Sequence, residues 1–276
     1  MKEFKDKVIY ITGGSSGMGL AIAKLMAAKG ASVIIFARRQ QVLDAALEEI
    51  CAAGSAAGQR HACLSMDVAN RELVKSVLSG AVAAYGVPDV LINCAGRAIP
   101  RYFEDISYEQ FDETLKVDMY GAWNTTSFLV PLMKERGGYI VNVSSLVGLI
   151  AIFGYTDYAS AKFALVGFSE ALRSELKRYK IAVSVLCPLD TDTPGFIEEN
   201  KTKPPETQVI SQAARVMQPS EVAQALLKGM AREEFIIIPS MDGWFTYIVK
   251  RLMPGLVEMV TDSQAKKVQQ SMKKPA

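Results

Sequence analysis

Short apolar, β-branched runs recur along the chain, and each is followed by a longer stretch whose apolar residues return every three or four positions. The runs at 8–11, 33–37, 61–66, 89–92, 139–143 and 181–187 predict strands buried on both faces. Residues 20–27, 40–53, 71–85 and 107–133 carry the helical period, as does the segment that contains Tyr158, where Leu165, Ser169, Leu172 and Leu176 share one face. Gly30, Gly86 and the pair Gly137 and Gly138 act as stops, and Ser107 is the expected N-cap of the longest helix. A helix at 219–231 and a strand at 235–238 continue the alternation. The expected fold is therefore α/β, a Rossmann-type doubly wound parallel sheet with helices on both faces. One domain over residues 1–276 accounts for the length.

Two regions depart from this rhythm. Residues 244–249 and 252–257 form apolar bursts interrupted by Lys250 and Arg251, inside an apolar C-terminal segment at 243–276. Apolar residues flanked by Trp244, Tyr247 and basic side chains suit a membrane interface or the mouth of a lipid channel, with packing on the core or on a second subunit as the competing expectation. The lysine-dotted tail beyond Thr261 is expected to be solvated and mobile. No run approaches the length of a spanning helix, and the start of the chain lacks the pattern of a signal peptide, so a cytoplasmic protein is expected, peripheral at the cytoplasmic membrane face if the C-terminal segment meets lipid.

Composition narrows the chemistry. Half of the residues are hydrophobic and 22% are charged, with a net charge of +2 made of interspersed signs. No basic stripe is present, so no nucleic acid is expected as a partner. The single histidine, His61, argues against a Ser-His-Asp hydrolase or a histidine-rich metal site, and no metal is expected. The four cysteines, at 51, 63, 94 and 187, lack C-x-x-C spacing and read as buried thiols in a reducing compartment.

The candidate chemistry gathers where strands end. After the first strand comes Thr12-Gly13-Gly14-Ser15-Ser16-Gly17-Met18-Gly19, then a helix. A glycine turn opening a helix lets free N–H groups approach the phosphates of a dinucleotide, although this spacing differs from G-x-G-x-x-G. Arg38 and Arg39 follow the second strand, where NAD folds place an acid and NADP folds an arginine, so NADPH is the expected cofactor. Asp67, Val68 and the stretch from Asn93 through Ala95 and Gly96 fall on the same edge by position. The fifth strand delivers Ser144 and Ser145 there, and the next helix begins with Tyr158-Ala159-Ser160-Ala161-Lys162. Four residues apart on a helix, the phenol of Tyr158 and the ammonium of Lys162 share a face, where a cation favours phenol ionisation.

Four motifs in this order, Thr12-Gly13-x-x-x-Gly17-x-Gly19, Asn93-x-Ala95-Gly96, Ser145 and Tyr158-x-x-x-Lys162, resemble those of the short-chain dehydrogenase/reductase family over almost the whole chain. The resemblance implies that Tyr158 donates a proton to a ketone oxygen and that Ser145 stabilises the charge developing there. It implies that Lys162 holds the nicotinamide ribose and lowers the tyrosine pKa. It extends the cofactor set to Ser15, Ser16, Met18, Pro188, Thr191 and Thr193, and implies a homo-oligomer. Where the family has asparagine on the proton path behind the lysine, this chain has Asp118. An aspartate there can pair with Lys162 while opposing ionisation of Tyr158.

The stretch from Pro188 through Asp190-Thr191-Asp192-Thr193-Pro194-Gly195-Phe196 to Glu199-Asn200-Lys201-Thr202-Lys203-Pro204 is similar to the 3-ketodihydrosphingosine reductases. It marks residues 188–218 as a substrate loop or lid and implies a small-molecule lipid substrate, a long-chain 3-ketone. The eukaryotic members carry a membrane anchor before the first strand, and this chain is expected to work without one. A reductase of 3-ketoacyl thioesters or steroids is the rival within the family. A non-catalytic NADPH sensor is the rival outside it, which an intact Ser145, Tyr158 and Lys162 disfavours.

Overall fold

The computed structural model describes residues 1–212 and 215–272. Positions 213 and 214 of the expected lid and positions 273–276 of the C-terminal segment lie outside the described residues. Seven strands pair in the order β3-β2-β1-β4-β5-β6-β7, every pair parallel. They are β1 (Val8–Thr12), β2 (Ser32–Ala37), β3 (Ala62–Ser65), β4 (Val90–Asn93), β5 (Gly138–Val143), β6 (Ile181–Leu186) and β7 (Ile236–Ile237). Helices α1 (Gly17–Ala28), α2 (Gln40–Ala53) and α3 (Arg71–Tyr85) make the crossovers of the first half. Helices α4 (Tyr108–Leu115), α5 (Gly121–Met133) and α6 (Thr156–Leu176) serve the second.

The two-sided burial follows from strand alternation. Ile9, Ile11, Val33 and Ile35 point to one face, where they meet Ile22 and Met26 of α1, Leu43 and Ile50 of α2, and α9 (Pro219–Arg232) through Leu226 and Met230. Tyr10, Ile34 and Phe36 point to the other and pack with Leu78 of α3, Leu129 and Met133 of α5 and Leu176 of α6. Complete burial of each such aliphatic side chain contributes roughly 1.5–3 kcal/mol, so both faces must be covered for these runs to be stable as strands. Gly30 has φ +87° after α1 and acts as the left-handed stop expected of it.

Three expectations need correction. The helix expected at 107–133 is interrupted by a π-helical turn at Lys116–Tyr120, which swings Asp118 into the interior. Extra residues in one turn commonly mark functional positions, and here the turn carries the residue that departs from the family pattern. The loop at 188–218 contains two short helices, α7 (Pro194–Asn200) and α8 (Pro205–Ser211), each opened by a proline at its first position. The tail expected to be mobile is helical: α10 (Met241–Leu252) is followed by α11 (Pro254–Met272), which buries Ala265 and packs along α8. Gln269 Nε2 donates to Glu206 Oε1 at 3.1 Å across that contact.

The thiols are likewise less uniform than expected. Cys187 is buried, with burial pushing its pKa up to about 12, whereas Cys51 is exposed and Cys63 and Cys94 are partly so. His61 lies at the edge of β3, where its Nδ1 accepts from the Val33 N–H at 3.3 Å. Among the described residues no helix is long and apolar enough to cross a membrane, and no group of metal-ligating side chains converges.

Candidate active site

A cleft opens at the carboxyl ends of β1, β2, β3 and β4, where the strand order reverses about β1 and β4. Gly13, Ser15, Ser16, Gly17, Met18 and Gly19 form one wall, Arg38 and Arg39 one end, and Asp67, Val68, Ala95 and Gly96 the opposite side. Thr193 and Gly195 approach from the far loop. A side chain at Gly19 would place its Cβ 2.2 Å from the Gly13 carbonyl oxygen, and one at Gly13 would come within 2.7 Å of the Ala95 nitrogen. Both glycines are therefore required for the turn to close against β4.

Helix α1 opens at this turn without a side-chain cap hydrogen bond at Ser16 and without an acid in its first turn. Its leading N–H groups and the partial positive charge of its N-terminus face the cleft uncompensated, which suits a pyrophosphate. Arg38 and Arg39 are exposed at the cleft, and among the described residues neither is paired with a carboxylate. The residues present thus fit a phosphate-bearing dinucleotide.

Two residues expected at the cofactor turn their side chains elsewhere. Asn93 donates to Thr126 Oγ1 at 3.1 Å and to Asn142 Oδ1 at 2.8 Å, and accepts from Thr125 Oγ1 at 2.7 Å. Its amide ties β4 to β5 and α5 inside the core. Thr191 is buried and donates to the Leu189 carbonyl at 2.9 Å. Pro188 offers its carbonyl to the Leu146 N–H at 2.9 Å, joining the end of β6 to the loop that holds Ser145.

The candidate reacting groups converge beside this cleft. Asp157, buried at the start of α6, accepts from Gln110 Nε2 and Thr114 Oγ1 at 3.0 Å each and from the Tyr158 N–H at 2.8 Å. The first turn of α6 is thereby fastened to α4, and Tyr158 is aimed. Lys162 Nζ donates to the Val143 carbonyl at 3.0 Å and lies 3.0 Å from Asp118 Oδ1, with both side chains almost fully buried. It stands 5.4 Å from the centre of the Tyr158 ring. Both Asp118 oxygens also accept from the Arg97 N–H at 3.2 Å. A Cβ on Gly96 would fall 2.6 Å from Asp118 Oδ1, so this glycine lets the cofactor cleft touch the ion pair directly.

Burial, more than the neighbouring lysine, governs the phenol of Tyr158. Burial pushes the Tyr158 phenol well above its ordinary value, with the Asp118 and Glu199 carboxylates adding to the rise, while a hydrogen bond with Ser145 opposes it. The charge of Lys162 is matched by Asp118 at 3.0 Å, whose carboxylate opposes its pull on the phenol. Asp118 is itself raised by burial, with Lys162 and the Arg97 N–H opposing.

Sequence reasoning did not single out Arg97 or Asp157. Arg97 immediately follows the Asn-x-Ala-Gly stretch and lines the cleft; its Nη2 pairs with Glu113 Oε2 at 2.6 Å. Asp157 precedes the tyrosine and resembles any first-turn acid in sequence, so only its partners on α4 distinguish it. Tyr155, the half-buried Glu199 and the buried Lys203 meet beside Tyr158; the sequence marks 199–203 as part of the substrate loop but not as partners of Tyr155.

A parallel sheet with a dinucleotide cleft at its switch point, and a tyrosine and a lysine one helical turn apart beside it, define an oxidoreductase of the nicotinamide type. Residues 7–204 match the short chain dehydrogenase family, and the chain belongs to that family. A 3-dehydrosphinganine reductase of Danio rerio is 41% identical over 250 residues, which cover 90% of this chain and 74% of that protein. A 3-ketodihydrosphingosine reductase of Bos taurus is 37% identical over 262 residues, 92% of this chain and 79% of the other. Among solved structures, a short chain dehydrogenase/reductase from Burkholderia phymatum, in complex with NAD, has a TM-score of 0.81 at 22% identity and covers 93% of this chain and 96% of its own. That likeness is one of fold.

Proposed function

We propose that the protein is an NADPH-dependent reductase that converts 3-ketodihydrosphingosine to dihydrosphingosine. The observation that carries this reading is the convergence of Tyr158, Ser145 and Lys162 beside a phosphate-suited cleft, in a chain similar along most of its length to reductases of that name. A nicotinamide cofactor held in the cleft supplies the hydride. Tyr158 gives its phenolic proton to the ketone oxygen, and Ser145 stabilises the negative charge developing on that oxygen with its hydroxyl. The proton lost by Tyr158 is replaced from solvent by way of Lys162, whose orientation Asp118 and the Val143 carbonyl hold. Arg38 and Arg39 favour the extra phosphate of NADPH, because both are exposed at the cleft end and lack a carboxylate partner among the described residues.

A lipid substrate needs a route from its membrane. Met241, Trp244, Phe245 and Leu252 of α10 are exposed next to Lys250 and Arg251, a composition that suits the surface of an anionic bilayer. This face is the proposed peripheral contact at the cytoplasmic side. A second copy of the chain is the proposed occupant of the surface where Trp123 of α5 and Phe163 of α6 are exposed.

The test is consumption of NADPH and NADH by the purified protein with 3-ketodihydrosphingosine, a 3-ketoacyl thioester and a steroid ketone. Turnover should require NADPH and be highest with the first. Faster turnover of the thioester or steroid would overturn the substrate assignment, and NADPH binding without turnover of any of the three would favour a sensor.

A further inference from the structure

The segment leaving β6 carries a group of charges that proton transfer at Tyr158 does not use. Lys203 has only 2% of its side chain exposed and lies 3.1 Å from Asp190 Oδ2 and 3.1 Å from Glu199 Oε1. Its ammonium also stands 4.4 Å from the centre of the Phe196 ring, so it is held between two carboxylates and an aromatic face. The carboxylates are more open, with 27% of the Asp190 side chain and 17% of the Glu199 side chain exposed. Glu199 accepts a hydrogen bond from the Tyr155 hydroxyl, and the Tyr155 ring centre is 5.9 Å from that of Tyr158. Helix α7 begins at the cofactor turn, with Thr193 against Gly17, and ends at this cluster. The cluster therefore adjoins the reacting phenol on the side of the substrate loop.

Its charge does not balance. Among the described residues neither carboxylate has a cationic partner other than Lys203, so two negative charges share one positive charge. Fastening the loop needs only one acid and one lysine. A second carboxylate beside a tyrosine that must release a proton opposes that release, and both Glu199 and Asp190 push the Tyr158 pKa upward. A cation arriving at the open side of the pair would remove that penalty.

The substrate proposed above brings such a cation. 3-Ketodihydrosphingosine bears a primary amine on the carbon adjoining its ketone, and an amine of this α-amino type is largely protonated near neutrality. A ketone presented to Tyr158 thus carries an ammonium next to the phenol. We propose that Glu199, with Asp190 beside it and Lys203 fixing both, is the recognition point for the ammonium of an α-amino ketone. This rests on the reductase reading and narrows it: Glu199 selects amine-bearing ketones over acyl thioesters and steroids, which have no ammonium to offer. Tyr155 then acts as a positioning residue, holding Glu199 at a set distance from Tyr158.

The experiment compares 3-ketodihydrosphingosine with its 2-deamino counterpart, identical in chain, hydroxyl and ketone, using wild type, Glu199→Gln and Asp190→Asn. Wild type should prefer the amine by at least tenfold in kcat/KM. A hydrogen bond between charged groups is worth about 1.5–3 kcal/mol, so Glu199→Gln should reduce that preference by about 10- to 100-fold, mostly through KM. Asp190→Asn should reduce it less. NADPH affinity serves as the check that each variant is folded; should Glu199→Gln fail it, the wild-type preference and Asp190→Asn decide. Equal kcat/KM of wild type on both ketones, or equal losses on both in Glu199→Gln, overturns the inference and leaves the long-chain reductase standing. Turnover of neither ketone by wild type overturns the reductase reading itself, and this inference with it.

Discussion

The cofactor half and the substrate half of the molecule are built on different principles. The first is made of backbone: a glycine turn, the uncapped start of α1 and the ends of four strands. The second is made of side chains contributed by distant segments. Tyr155, Glu199, Lys203 and Asp190 meet there, and Glu206, donated to by Tyr102 at 3.0 Å, lies close by in the same segment. A backbone site tolerates little change, because an added Cβ strikes main-chain atoms that cannot move aside. A side-chain site can be altered one charge at a time and so can change substrate without changing fold. The phenol of Tyr158 lies where the two halves join.

Substitutions separate the halves, and the largest effect should come at the junction. Tyr158→Phe removes the proposed proton donor and should lower kcat by about 100- to 10,000-fold while NADPH binding, measured by fluorescence titration, persists. A variant that still turns over would show that the proton comes from elsewhere. In the backbone half, Gly19→Ala forces a carbon to within 2.2 Å of the Gly13 carbonyl. Overpacking of this kind costs about 1–3 kcal/mol, so NADPH affinity should fall by roughly 10- to 100-fold. Unchanged affinity would mean that the turn relaxes freely and that the two halves differ little in their tolerance of change.

Arg38→Ala should weaken NADPH binding by about tenfold and leave NADH binding nearly as it was, since a phosphate contact is worth about 1.5–3 kcal/mol when charged and less when exposed. Equal losses for both cofactors would remove the arginine from 2′-phosphate recognition.

Asp118→Asn tests the junction more gently. Its carboxylate raises the Tyr158 pKa, and reduction requires Tyr158 protonated, so activity falls as pH rises through that pKa. Removing the charge lowers the pKa, and the alkaline limb of the pH–rate profile should move to lower pH. A limb that stays in place would show that Lys162 has already neutralised the aspartate. The smallest effect on turnover is expected from the paired change Trp244→Ser and Phe245→Ser on α10. With a soluble short-chain ketone the rate should hardly change, while flotation with anionic vesicles should drop; equal recovery would remove the membrane contact.

The sheet and the cofactor half were legible because they depend on local pattern. All seven strands coincide with apolar runs, and the turn at 12–19 is marked by glycines whose spacing suits one conformation. Asn93 shows what such reading leaves out: its place beside Ala95 and Gly96 points to a ligand contact, while its side chain bonds Thr125, Thr126 and Asn142 within the core. Three partners from two other elements, 32 to 49 residues away in sequence, determine that outcome. The tail departs from its local pattern in another way. A charged, weakly apolar stretch looks mobile by itself, but α8 offers α11 a surface on which Ala265 and Gln269 can settle.

The sequence by itself determined the alternation of strand and helix, the parallel sheet that this alternation requires, the glycine turn, and the pairing of Tyr158 with Lys162 on one helical face. Each of these follows from residues close together in the chain, where sterics and hydrophobic period act directly. Only the tertiary structure decided what surrounds that pair. The π-helical turn that buries Asp118 against Lys162, the anchoring of α6 by Gln110 and Thr114, and the unbalanced acids at Lys203 all depend on segments far apart in sequence. Burial and the sum of nearby charges set the state of a titratable group, and both arise only when the chain has closed around it.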